Sequence, residues 1–189
     1  MEDNKNIFMG CDIAEHGKDF SVATIVEFKE GNFKIIKISS WHKSDTMVTT
    51  GKIIELIKEY NVDKIYVDAI GVGKGVFDRL KEQKFKAIGV KVGMSATVDK
   101  NRFLNKKSQF YWNLRNLFEN GNISILNHRI LIKELSLMKY EITSGGKIKI
   151  IDPENKSPDF ADALILACAS SIQSLQSFGS PEKIPLDWY

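Results

Sequence analysis

Ile7-Phe8-Met9-Gly10-Cys11-Asp12-Ile13 is an apolar run broken near its end by a carboxylate. It reads as a buried strand with Asp12 at its tip. After the turn at His16-Gly17-Lys18, Phe20 to Phe28 carries β-branched Val22, Thr24 and Val26, which favour a pleated strand. Glu30-Gly31-Asn32 reads as a turn, and Phe33 to Trp41 alternates as a third strand. Strand, turn, strand, turn, strand is an antiparallel meander. The period then changes. Val48 to Tyr60 sets Ile53, Ile54, Leu56 and Ile57 at helical spacing. Ile65-Tyr66-Val67-Asp68 is a short strand of the buried parallel type, Val76 to Glu82 a helix, and Ala87 to Val92 a further strand. The first half therefore has the order β-β-β-α-β-α-β.

The second half changes texture. Gly93 to Lys107 is polar, rich in Lys, Asn and Arg and without a period, which predicts a long loop of the kind that is often functional. Ser108 to Glu119 and Ile130 to Met138 read as amphipathic helices. Tyr140 to Ile142 and Lys147 to Ile151 flank Ser144-Gly145-Gly146, the pattern of a β-hairpin. Ser157-Pro158 opens a last helix through about Ser174, with Pro at its first position. Residues 1–6 read as a disordered extension, residues 7–175 as one domain and residues 176–189 as an irregular tail. Met94, Met138 and the Phe residues read as core.

At 189 residues and a net charge of +3, the chain has the size of one mixed α/β domain with a sizeable core. It contains neither an apolar run of bilayer length nor a signal peptide. Cys11 and Cys168 lie in apolar segments and read as buried thiols rather than a disulfide. No CxxC or zinc-spaced His pair is present. His16, His42 and His128 carry no catalytic signal.

Acidic residues in apolar surroundings carry the functional reading. Asp12 and Asp68 each end a strand, and Asp162 interrupts Phe160-Ala161-Asp162-Ala163-Leu164-Ile165-Leu166-Ala167. Buried carboxylates need partners or metals, and no Arg or Lys stands at helical spacing within that last helix. Asp159, three residues before Asp162, shares its helical face. Any one of these acids alone reads as a turn-former or helix cap, and Asp159 as a dipole partner. Together they converge at one edge if the two strands are neighbours. Oxygen-only ligation of this kind suits Mg²⁺ or Mn²⁺ rather than zinc.

The same residues carry a family resemblance. Gly10 to Asp19 (GCDIAEHGKD), Val67-Asp68-Ala69-Ile70-Gly71-Val72-Gly73 and Lys156-Ser157-Pro158-Asp159-Phe160-Ala161-Asp162-Ala163-Leu164 resemble the acidic motifs of the C-terminal nuclease domain of phage and prophage terminase large subunits. Phe103 to Lys107, Tyr111 to Arg115 and Gly145 to Ile150 resemble its central helix region and hairpin. The resemblance implies a ribonuclease-H-like, resolvase/integrase-type α/β fold: a central mixed sheet flanked by helices, with an additional β-hairpin. It implies a DNA endonuclease that cuts concatemeric viral DNA during genome packaging. Asp12, Asp68 and Asp162 would be catalytic, and with Asp159 would hold two Mg²⁺ or Mn²⁺ ions, Asp12 bridging. The partners implied are double-stranded DNA, the terminase ATPase domain, the small subunit and the portal. The place implied is the cytoplasm of an infected or lysogenic bacterium. For DNA contact the basic loop offers Lys100, Arg102, Lys106 and Lys107, and the hairpin offers Lys147 and Lys149.

Two other classes share parts of this pattern. A Holliday-junction resolvase or ribonuclease H would show a similar carboxylate set, because fold and metal site are shared while substrate differs. A non-catalytic DNA-binding module on the same fold is the other. The nearest approach to a G-x-x-x-x-G-K-[ST] phosphate loop is Gly71-Val72-Gly73-Lys74-Gly75, which lacks the spacing; the chain reads as an excised domain or the C-terminal part of a longer protein. Purified, it is expected to turn over no ATP, with or without DNA. DNA-stimulated phosphate release above a no-protein control would contradict this.

Overall fold

The computed structural model describes residues 5–14, 19–42, 44–154 and 156–171. The first strand, β1 (Lys5–Asp12), starts two residues before the apolar run and pairs antiparallel with β2 (Ser21–Lys29), which pairs antiparallel with β3 (Asn32–Trp41). Glu30 and Gly31 join β2 to β3, both at positive φ (50° and 83°), as a two-residue hairpin that follows strand twist requires. After helix α1 (Thr46–Tyr60) come β4 (Lys64–Asp68), α2 (Val72–Glu82) and β5 (Ala87–Val90). Strand β4 lies parallel to β1 and β5 parallel to β4. Helix α3 (Lys106–Glu119) then leads to β6 (Ile123–Ser124) beside the start of β3, giving the sheet order β5-β4-β1-β2-β3-β6. Helix α4 (Arg129–Leu137) and the separate hairpin of β7 (Lys139–Ile142) and β8 (Ile148–Ile151) precede α5 (Asp159–Ala167).

The alternation of β1 sorts the core into two layers. Phe8 faces a cluster with Tyr111, Leu114, Phe160 and Leu164 of α3 and α5, whereas Met9 and Cys11 face Ile53, Ile57, Val76 and Leu80 of α1 and α2. The sheet is thus covered on both faces, as its parallel strands require. Cys11 and Cys168 are free, buried and in opposite layers.

Helix boundaries follow their caps. Asp45 accepts the Val48 amide at 2.8 Å and starts α1 two residues before the periodic run. Asn105 accepts the Ser108 amide at 2.9 Å, so Lys106 and Lys107 belong to the first turn of α3 and not to the preceding loop. Helix α2 starts at Val72, four residues before Val76. Gly71 turns the chain there at φ 55°, and a Cβ on Gly73 would lie 2.0 Å from the Asp68 carbonyl. Pro158 is the N-cap of α5 and not its first residue; the helix is interrupted after Ala167 by a turn, helical residues resume at Ser170, and the expected end near Ser174 lies outside the described residues. Met94 and Phe118 are 56% and 39% exposed, which corrects their reading as core. Of the expected extension at residues 1–6, Lys5 and Asn6 instead belong to β1 and residues 1–4 lie outside the described residues, as do the tail 176–189 and His16.

One contact fixes the site-bearing helix. A Cβ on Gly10 would lie 2.1 Å from the Ala163 carbonyl and 2.2 Å from the Ala167 amide. Helix α5 therefore crosses β1 backbone to backbone, on its Ala163/Ala167 face. Gly10→Ala is expected to cost about 3 kcal/mol or more by overpacking, lowering the thermal midpoint by roughly 6 °C or more. Gly51→Ala, in helix α1 with open space around it, should stabilise by about 0.5–1 kcal/mol. Paired thermal melts test this; a neutral Gly10→Ala would refute the close crossing.

Candidate active site

The last register pair between β1 and β4 is Cys11–Val67. Asp12 and Asp68 therefore leave neighbouring parallel strands at the same end of the sheet, in the arrangement expected from sequence. The α5 crossing at Gly10 brings the first turn of that helix, with Asp159 and Asp162, to the same end. Asp12, Asp68 and Asp162 are partly buried and Asp159 is buried.

Burial and mutual repulsion dominate the electrostatics. Asp12 is pushed well above the carboxylate range by burial, then by Asp162, Asp159 and Asp68, with Lys107 opposing. Burial and Asp162 raise Asp68 to about 6 against the pull of the Ile70 amide and Lys107. Asp162 is raised by burial in spite of Lys107 and Tyr111. Its two oxygens are both engaged: the Tyr111 hydroxyl donates to Oδ1 at 2.7 Å, and Lys107 Nζ donates to Oδ2 at 3.1 Å. Burial, then Asp162, holds Tyr111 well above the phenol range, so it remains a donor.

A second ring of groups fixes the first. Asp159 Oδ2 accepts the Phe20 amide at 2.7 Å, fastening α5 to the start of β2. Pro158 supplies no side-chain cap. Glu134 of α4 does so instead, accepting the Ala161 amide at 2.9 Å. Burial raises Glu134 to about 7 against that hydrogen bond, helped by Asp159. Glu134 was not singled out by sequence, and Tyr111 only as part of the stretch Tyr111 to Arg115, with no contact to Asp162 assigned to it. Neither breaks a pattern along its own helix, so only three-dimensional proximity reveals them.

The basic residues divide. Lys100 is exposed, and Lys106 and Lys147 are partly exposed. The Arg102 guanidinium lies 5.2 Å from the ring centres of both Phe103 and Trp112, and Lys149 pairs with Glu141 across the hairpin at 2.9 Å. Lys107 was expected on a DNA-facing loop. Its side chain is only 17% exposed and sits between Asp152 and Asp162, at 2.7 and 3.1 Å.

The donor set suits a hard divalent cation. It consists of oxygens alone, and Asp68 Oδ1 is buried without a hydrogen-bond partner, an unmet acceptor that a cation would satisfy. Among the described residues, however, no three His, Cys, Asp or Glu side chains are gathered closely enough to hold an ion as they stand. Both oxygens of Asp162 are engaged by Tyr111 and Lys107.

Raised carboxyls make the protein's stability depend on pH. The folded state holds the protons of Asp68 and Glu134 up to about 6 and about 7, while the unfolded chain releases them near pH 4. Their contribution is complete below the unfolded values and is lost as pH rises through the folded ones. In EDTA the thermal midpoint should fall between about pH 4 and pH 7, each group contributing on the order of 1 kcal/mol. Asp68→Asn and Glu134→Gln should each flatten the fall. A midpoint that rises across this window would contradict the assignment.

Among curated proteins, none matches the chain by sequence. Solved structures do match it. The large terminase nuclease from thermophilic phage G20c superposes with a TM-score of 0.72 at 20% identity, over 88% of this chain and 82% of that one. It has also been solved with bound magnesium, cobalt and zinc. The nuclease domain of the large terminase subunit gp2 of bacterial virus Sf6 superposes at 0.70 and 19% identity, over 86% and 87%. The Thermus phage P74-26 large terminase nuclease domain does so at 0.67 and 19%, over 87% and 78%. At this identity the likeness establishes a common fold. The sequence itself goes further: the model of the terminase RNaseH-like domain matches residues 9–170, and the chain belongs to that family.

Proposed function

We propose that this chain is the nuclease domain of a terminase large subunit and hydrolyses DNA phosphodiester bonds with divalent metal. The reading rests on one observation above all. Carboxylates from two neighbouring parallel strands and from the helix crossing them meet at one end of the sheet, one with a buried, unpartnered oxygen. Metal-bound forms of the G20c and Sf6 nuclease domains support it. Asp12, Asp68 and Asp162, with Asp159, would hold two Mg²⁺ or Mn²⁺ ions. The chemistry supplied by such a pair would be a water of lowered pKa for the attack and positive charge beside the leaving oxygen.

The chain's own residues do the positioning. Tyr111 orients Asp162 through its hydroxyl. Glu134 satisfies the free amide end of α5 and so fixes the register of Asp159 and Asp162. Asp159 anchors that helix to Phe20. Lys100, Lys106 and Lys147, exposed or partly exposed, would meet a phosphate backbone by charge alone, without reading bases. In the full motor the substrate would be concatemeric viral DNA, cut as packaging starts and ends in the host cytoplasm. The partners would be the ATPase domain, the small subunit and the portal.

The chain should nick and linearise plasmid DNA with Mg²⁺ or Mn²⁺ and with little sequence preference. EDTA or Asp68→Asn should reduce the rate by about two orders of magnitude or more. Cleavage that survives EDTA would rule out the metal mechanism. Four-way junctions or RNA–DNA hybrids cut far faster than linear duplex would move the substrate to a related nuclease class.

A further inference from the structure

Lys107 stands where neither helix electrostatics nor surface solvation explains it. It lies in the first turn of α3, the positive end of the helix dipole, where a cation is disfavoured. Its ammonium is withdrawn from solvent and held by two acids, Asp162 of α5 at 3.1 Å and Asp152 at 2.7 Å. The acids differ in kind. Asp162 belongs to the metal-binding set. Asp152 is 49% exposed at its side chain and directly follows β8. That position is built, because β8 is tied to the start of α3. The Ile148 amide donates to the Arg102 carbonyl at 2.8 Å, the Leu104 amide to the Ile148 carbonyl at 3.0 Å, and the Ile150 amide to Ser108 Oγ at 3.1 Å. The chain leaving β8 is thereby carried to Lys107.

We infer that Lys107 is the counter-cation of the metal-free site and that Asp152 is its holding partner, so that metal binds by exchange: the ammonium leaves Asp162 and is retained by Asp152. The inference rests on the metal-dependent reading above. An ammonium and a divalent ion against one carboxylate repel each other strongly at this depth. A lysine released with no partner would remain a buried unpaired charge. Asp152 removes that obstacle, because the shorter of the two contacts persists while the longer one breaks. Lys107 has the flexible stem such a move needs. The exchange also explains why Asp162 Oδ2 is not presented to an ion in this arrangement.

The test is Mn²⁺ affinity of the full chain, measured by calorimetry and by the rise in thermal midpoint, with no reference to cleavage. Lys107→Met should bind Mn²⁺ about tenfold more tightly than wild type, since a competing charge is gone. It should also melt lower in EDTA, with excess Mn²⁺ closing the gap. Asp152→Asn should bind about threefold to tenfold more weakly, because Lys107 then keeps to Asp162. In the Lys107→Met background the same Asp152→Asn change should shift affinity by less than about twofold, the signature of a residue acting through another. If Lys107→Met does not fold, Lys107→Gln completes the same cycle. An equal Asp152→Asn effect in both backgrounds, or no tightening on loss of Lys107, overturns the exchange while leaving the metal site standing. Failure of both wild type and Lys107→Met to bind Mn²⁺ overturns the metal-dependent reading itself and this inference with it.

Discussion

The fold hangs on a backbone crossing. Helix α5 lies on β1 with no side chain between them at Gly10, where Ala163 and Ala167 meet the strand directly. Small residues on both surfaces permit that approach, and everything at the acidic end of the sheet follows from it. Set further from the sheet by a larger residue at Gly10, the first turn of α5 would carry Asp162 away from Asp12. Gly73 plays a parallel part at β4, where the start of α2 closes over the Asp68 carbonyl. Each strand-end acid thus sits beside a glycine that lets a helix come close.

That compactness creates an electrostatic load. Asp12, Asp68 and Asp162 are each raised by burial first, and repulsion from Asp162 adds to the rise of both strand-end acids. A domain stable by only some ten kcal/mol bears such groups where function requires them. Lys107 and Tyr111 offset part of the load at Asp162, and the amides of Phe20 and Ile70 offset part at Asp159 and Asp68. The Lys107 ammonium is itself drawn up: burial opposes its charge, but Asp162 and Asp152 outweigh burial. The two signs of charge therefore stabilise one another in the metal-free protein, and an entering cation competes with a bond that already exists.

Much of this could be read along the chain. The meander, the change to helical period, the strand ends at Asp12 and Asp68 and the hairpin around Ser144-Gly145-Gly146 each depend on local pattern, and local pattern is what a sequence displays. The boundaries that moved were set by caps. Asp45 and Asn105 set them, and a polar stretch such as Gly93 to Lys107 hides a cap among residues of similar character. That stretch is also less loop-like than its polarity implies: Ala96 and Phe103 pack with Trp112 and Ile148, and Gln109 Oε1 accepts the amides of Thr97 and Val98 at 2.7 and 3.3 Å. Two-residue β6 offers too little sequence for any period to register.

Lys107 shows the deeper limit. A search for its partner along α5 finds nothing, because the pair Lys107–Asp162 spans 55 residues and joins two helix N-termini. Helical spacing finds partners within an element; it is blind to those brought by another. The hairpin contributes for the same reason. It stands apart from the main sheet, yet its Tyr140 packs edge-on against Trp112 of α3 at 5.3 Å, and β8 bonds to the residues around Asn105. An appendage whose inner strand is pinned to the start of α3 moves with Lys107 or not at all. The acid that follows β8, Asp152, is therefore as much a part of the site's charge balance as the acids on the sheet.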